Sequence, residues 1–181
     1  MDTRAIQQIS YGVYIISSKK GDKLNGQIAN TVFQITSEPP TVAVSINKQN
    51  LTHEFIRESK MFSISVVSKE APMIFIGLFG FRSGRDVDKF KETGFKTGST
   101  GVPVIIENSV SYMECEVISE TDVGTHTIFI GKVVDCEMLN GSEPMTYAYY
   151  RAVKGGKSPK TAPTYLAPEE SKETDGGKNK L

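Results

Sequence analysis

The residues of this chain that could do chemistry are amides and hydroxyls placed where a strand should be apolar. From Asn25 to Gln34 the sequence runs Asn-Gly-Gln-Ile-Ala-Asn-Thr-Val-Phe-Gln, so that Asn25, Gln27, Asn30, Thr31 and Gln34 interrupt a stretch otherwise suited to a sheet wall. A polar group drawn into such a wall loses free energy unless something hydrogen-bonds it. These residue types point to a ligand rich in donors and acceptors rather than to a reacting side chain. The rest of the sequence agrees: it has no Ser-His-Asp order, no pair of catalytic carboxylates and no cluster of metal ligands. Cys115 and Cys136 form no Cys-x-x-Cys pair, which argues against zinc, rubredoxin-type iron or an iron–sulfur cluster held within the chain. Both lie in β-patterned runs and are expected as free thiols packing like small hydrophobes. No Gly-x-Gly-x-x-Gly follows a strand, so a dedicated dinucleotide domain is not expected.

The elements that must position these groups belong to a single domain of 181 residues, long enough to bury about 70% of its unfolded surface. Lysine plus arginine balances aspartate plus glutamate at 21 each, leaving no global field to attract nucleic acid or an anionic membrane. No signal-peptide pattern opens the sequence and no segment has the apolar length of a membrane span, so the expected location is the cytoplasm. Along the chain, residues 2–9 suggest a short helix and Tyr11 to Ser18 a strand, with a charged hairpin turn at Lys19 to Lys23. Ile28 to Ile35 and Thr41 to Ile46 predict two strands around a stiff corner at Ser37-Glu38-Pro39-Pro40. Asn50 is placed to cap a helix over Leu51 to Ser59, and Met61 to Val67 predicts a strand with Ser63 and Ser65 on one polar face. Met73 to Phe79 is apolar nearly all round, a helix that something must cover. Val110 to Thr121 and His126 to Leu139 predict a long hairpin. The absence of a βαβ rhythm favours a small antiparallel barrel over a doubly wound sheet. The sequence after Ala167 is polar and charged, and residues 167–181 are expected as a disordered tail behind a domain of residues 1–166.

Four motifs occur in order: Asn25-Gly26-Gln27-Ile28-Ala29-Asn30-Thr31 followed by Glu38-Pro39-Pro40; Ser45-Ile46-Asn47 with Asn50-Leu51-Thr52; Phe79-Gly80-Phe81-Arg82-Ser83-Gly84-Arg85-Asp86-Val87-Asp88-Lys89-Phe90; and Gly124-Thr125-His126-Thr127. With Pro163-Thr164-Tyr165 behind them, this order resembles the flavin reductase-like family of FMN-binding split barrels, whose members stand alone as flavoredoxins or are fused to a C-terminal rubredoxin. The resemblance implies a mainly β fold, a six-stranded antiparallel Greek-key split barrel with two or three short helices. It also implies a homodimer with the cofactor near the interface, which would cover the Met73 to Phe79 helix.

FMN requires a dry slot for its ring, hydrogen bonds to the ring's polar edge and donors for its phosphate. The resemblance carries ring contact to Gln27, Ile28, Ala29, Asn30 and Thr31, with Ile46 and Asn47 beside them. For the phosphate, Ser45, Asn50 and Thr52 stand near the start of a helix at Leu51, whose free N–H groups and dipole favour an anion. Ser83 and Arg85 would complete that set, and an Arg suits bidentate phosphate contact. His126 is the candidate catalytic residue, although Thr125 replaces the acidic residue usual in the family and removes a carboxylate from beside the imidazole. His53 is expected on the exposed part of its helix. Tyr165 could cover the ring. Hydride transfer from NADH or NADPH needs orientation and dryness but no protein nucleophile, base or metal. The activity implied is an NAD(P)H:flavin oxidoreductase passing electrons to free flavin, a metal complex or a small redox protein such as rubredoxin. The alternative is an FMN-binding electron carrier reduced by a partner.

Overall fold

The computed structural model describes residues 3–165; the expected polar tail lies outside the described residues. After a short 3-10 helix at Thr3–Gln8, strands β1 (Tyr14–Lys20) and β2 (Lys23–Ala29) form the expected hairpin, turning at Gly21 with φ of 56°. Strands β3 (Val32–Ser37) and β4 (Pro40–Asn47) follow, then helix α1 (Leu51–Ser59), β5 (Met61–Val67) and helix α2 (Met73–Phe81). Two short strands, β6 (Phe95–Thr97) and β7 (Pro103–Ile105), precede the long pair β8 (Ser109–Asp122) and β9 (His126–Met138), and helix α3 (Tyr147–Ala152) comes last.

The chain is mainly β, but the main sheet has seven strands rather than six, in the antiparallel order β2-β1-β5-β8-β9-β4-β3, and its ladder does not close. The expected strand over Ile28 to Ile35 is divided between the two edges of that sheet. Its halves, β2 and β3, are joined only by Asn30-Thr31. Three Cα steps reach at most about 11 Å. The sheet must therefore curl until its edges nearly meet, and the amide-bearing motif lies along the seam.

Inside the curl, Ile16, Val44, Ile46, Ile64, Phe62 and Phe129 form one core, into which α1 inserts Ile56. A second core lies on the outer face, where Phe75, Ile76 and Phe79 of α2 pack with Ile15, Phe90 and Ile105. Helix α1 buries Phe55 and Ile56 together with Thr52 and His53. Helix α2 is apolar all round, as its sequence indicates, yet Ile74 is 84% exposed, and Met73 and Phe81 also face outward.

Residues 94–105 contain a strand pair that the sequence reading did not include. Strand β7 lies on β1 and β5 and covers the supposed polar face of β5. Ser63 and Ser65 are consequently fully buried, and Ser63 Oγ donates to Pro103 O at 2.6 Å. Cys115 is buried, which pushes its thiol up to about 12, whereas Cys136 is exposed rather than packed as a small hydrophobe; both are free thiols. Among the described residues no helix is long and apolar enough to cross a membrane.

Candidate functional site

A cavity of about 340 Å³ opens where β2, the end of β4, the start of α1, the end of α2 and the loop after it converge. That volume is at the small end of the range for small-molecule sites. Gln27, Ile28, Ala29, Asn30, Ser45, Asn47, Asn50, Leu51, Thr52, Ser83, Arg85 and His126 all line it, so the seam gathers residues that are up to a hundred positions apart in sequence, on the order allowed by a fold of long-range strand pairing.

Three expected residues do not line it. Alternation along β4 turns Ser45 and Asn47 to the cavity and Ile46 to the inner core, where it is fully buried. The Thr31 hydroxyl donates to Asn30 Oδ1 at 3.1 Å and serves to brace that side chain. Tyr165 lies beyond the lining, its backbone N–H donating to Ala162 O at 3.1 Å.

The cavity floor is defined by Asn25. Its Nδ2 donates to Thr52 Oγ1 at 2.7 Å, tying β2 to the first turn of α1. Its Oδ1 has no partner although the residue is 2% exposed. Gly84 closes over that oxygen so tightly that a Cβ there would collide with it. Gln27 Oε1, two residues along the same strand, is likewise buried without a partner. Two orphaned acceptors on one strand face call for a ligand that brings donors.

At the other wall, Asn50 occupies the N-cap position in extended conformation, φ −78° and ψ 139°, but its side chain makes no cap hydrogen bond. His53 N donates to Asn50 O at 3.0 Å, which leaves the Leu51 and Thr52 amides for a ligand. Ser83 Oγ accepts from Arg85 N at 3.1 Å, shaping the loop, and the Arg85 guanidinium is paired with Glu54 of α1 on the exposed rim.

Residues 157–163 form the roof, and the wall holds them. His126 Nε2 lies 3.2 Å from Thr161 O, and Asn47 Nδ2 donates to the same carbonyl at 3.3 Å. Since a carbonyl only accepts, Nε2 carries the proton, and in the neutral ring Nδ1 accepts from Thr125 Oγ1 at 2.9 Å. The Thr161 carbonyl thus fixes the tautomer, and the Thr125 hydroxyl donates to the ring nitrogen left without a proton. Asn30 Nδ2 donates to Thr164 Oγ1 at 2.7 Å, and Thr164 in turn donates to the Tyr147 hydroxyl at 3.1 Å. His53, expected on an exposed helix face, is instead 6% exposed, with Nε2 at 2.8 Å from Thr127 Oγ1. Desolvation lowers its pKa, assisted by Arg57.

Sequence reasoning did not foresee Lys89, Tyr147, Tyr150 or the roof residues before Pro163 as part of the lining. The tyrosines sit three apart on α3, a spacing that puts them on one helix face. Lys89 gave a weaker signal, a lysine directly before Phe90 inside an apparently solvated loop.

Residues 6–156 match the family model described as "Flavin reductase like domain". The chain is 54% identical over 174 residues to a high molecular weight rubredoxin of Moorella thermoacetica, covering 96% of this chain and 76% of that protein. It is 49% identical over 166 residues to a ferric-chelate reductase (NAD(P)H) of Archaeoglobus fulgidus, covering 92% of this chain and 98% of that one. Among solved structures, the FMN-binding protein of Thermus thermophilus with bound p-hydroxybenzaldehyde superimposes with a TM-score of 0.67 at 25% identity, covering 72% of this chain and 73% of that chain. With a family model spanning most of the curled sheet and two relatives near half identity over nearly the whole chain, the protein belongs to the flavin reductase-like family.

Proposed function

We propose that this chain is an FMN-dependent NAD(P)H oxidoreductase that holds the flavin in the seam cavity. The observation that carries this reading is the pair of orphaned acceptors, Asn25 Oδ1 and Gln27 Oε1, beside an uncapped helix start. Amide oxygens of this kind suit the hydroxyls of a ribityl chain, while the phosphate suits the α1 amides with Ser45, Asn50, Thr52, Ser83 and Arg85. Thr52 already accepts from Asn25, so its own proton is the one left to donate. Ile28, Ala29 and Phe79 supply the apolar slot, and Asn30, Asn47 and His126 the polar edge. Bound FMN would supply a hydride acceptor able to pass electrons on singly or in pairs.

The chain's part is to orient and to exclude water. His126 keeps its Nε2 proton directed at the roof, Asn47 holds the same roof carbonyl, and Asn30 holds Thr164 just behind it, so the approach to the slot is set by these contacts. A homodimer would cover the outward side chains of α2, Met73, Ile74 and Phe81, which form an apolar face with no partner in the monomer. The relatives suggest acceptors: one is named a ferric-chelate reductase, which supports a metal complex, and the other a rubredoxin, which supports a small iron protein. The expected location remains the cytoplasm.

Anaerobic titration of the FMN-loaded protein with NADH and with NADPH tests the reading. Rapid bleaching of the yellow band by either nucleotide is the expected result. Bleaching only by a reduced partner protein would instead support the electron-carrier alternative, and failure to retain or exchange FMN would end both.

A further inference from the structure

Lys89 is buried to 4% exposure in the cavity wall and has no carboxylate partner among the described residues. Its ammonium donates to Gly26 O at 2.7 Å and, at a longer 3.5 Å, to Phe79 O. Both carbonyls lack backbone partners for a structural reason. Gly26 belongs to β2, an edge strand whose outer groups have no neighbouring strand, and Phe79 lies in the last turn of α2, where carbonyls run out of intrahelical donors. Helix α2 has no basic residue of its own in that turn, so Lys89 supplies the cation its C-terminal end favours. A lysine from the loop therefore bridges the two elements that form the cavity's apolar side. The same loop carries Ser83 and Arg85.

We propose that Lys89 is a positioning residue: its ammonium clamps the edge of β2 to the end of α2, sets the width of the flavin slot and thereby controls flavin affinity without touching the flavin. This rests on the flavin reading of the cavity. The charged groups around it are occupied elsewhere. On its own loop, Asp88 accepts from Phe90 N at 2.9 Å and Arg85 is paired with Glu54. From β2 the neighbours are Asn25, Gly26 and Gln27, from α2 they are Ile76 and Phe79, and from β1 Ser17 lies behind Gly26. None of these titrates. Burial alone lowers the Lys89 pKa to about 8, so the charged clamp holds at neutral pH and is weakened as pH rises through that value, when the neutral amine left behind donates less strongly.

The test is flavin affinity measured with FMN and with riboflavin from about pH 6.5 to about pH 9, below the ordinary range of tyrosine and unburied lysine. The wild type, Lys89→Arg and Lys89→Met are compared, each with a circular dichroism melt. Wild-type affinity for both flavins should fall progressively above pH 8, by about tenfold at the alkaline end, if the clamp is worth one charged hydrogen bond. Lys89→Arg, charged throughout, should flatten that profile, and Lys89→Met should bind both flavins weakly at every pH. The wild-type profile alone decides the matter if Lys89→Met does not fold. A flat wild-type profile, or wild-type affinity in Lys89→Met, overturns the inference while leaving the flavin reading intact. An effect on FMN but not riboflavin also overturns it, because it would mean direct charge on the phosphate. A wild type that binds neither flavin removes both the reading and the inference.

Discussion

The molecule buries two polar clusters on either side of β1 and β5, and they end differently. Beneath the β6–β7 hairpin, Glu114 is fully buried, and its carboxylate accepts from Ser99 N at 2.9 Å, Thr100 N at 2.8 Å and Thr100 Oγ1 at 2.5 Å. Burial works to raise its pKa, but those hydrogen bonds outweigh burial and hold it below the usual carboxylate range. In the seam cavity, Asn25 and Gln27 keep orphaned acceptors. The first cluster is completed by its own chain; the second is left for something else to complete. Ser17 and Ser65 are also unpartnered, but neither lines the cavity. Burial of polar groups therefore does not mark a ligand site by itself. Incomplete satisfaction facing an opening does.

The largest effect should come from breaking the self-sufficient cluster. Glu114→Ala leaves three donors without an acceptor and should lower unfolding free energy by about 3 kcal/mol or more, measured by urea denaturation. Flavin affinity of the molecules still folded should not change. The same carboxylate gives a pH signature. Its folded pKa is depressed, so its contribution is complete above the ordinary glutamate value of about 4.3 and is lost as pH falls below it. Glu114→Gln should flatten stability across that acidic window.

Breaking the incomplete cluster should do the reverse. Asn25→Ala should weaken FMN binding by about 2 kcal/mol, or roughly thirtyfold, by removing one acceptor and releasing Thr52, with a smaller change in stability. A comparable loss of stability without loss of affinity would contradict the contrast. Gly84→Ala forces a methyl group against Asn25, itself buried and held by Thr52, and should reduce FMN affinity by about tenfold through overpacking worth about 1 kcal/mol or more. The smallest effect belongs to the rim. The Arg85–Glu54 pair has both side chains 47% exposed, so Glu54→Gln should change stability by less than about 0.5 kcal/mol. By freeing Arg85 for the phosphate it should tighten FMN binding by about twofold, whereas unchanged or weaker binding would remove Arg85 from the phosphate set.

Local pattern made much of this legible. Leu51–Ser59 and Met61–Val67 fall where periodicity and the Asn50 cap place them, because a helix stripe and a strand alternation are written in neighbouring residues. The split of Ile28 to Ile35 was not legible. Nothing in its β-branched run says that Asn30-Thr31 carries the chain from one edge of a seven-stranded sheet to the other. The short strands β6 and β7 escaped for the opposite reason, being three residues each among glycines and turns.

The sequence alone determined the chemistry offered: amides and hydroxyls at fixed intervals, a helix start beside them, and a motif order shared with one family. Only the tertiary structure decided which of those groups would remain unsatisfied. Ser63 and Glu114 look as available in sequence as Asn25 and Gln27, and Lys89 looks more exposed than any of them. Whether a donor or acceptor finds a partner depends on what long-range strand pairing brings against it. Alternation supplies only the face on which it points.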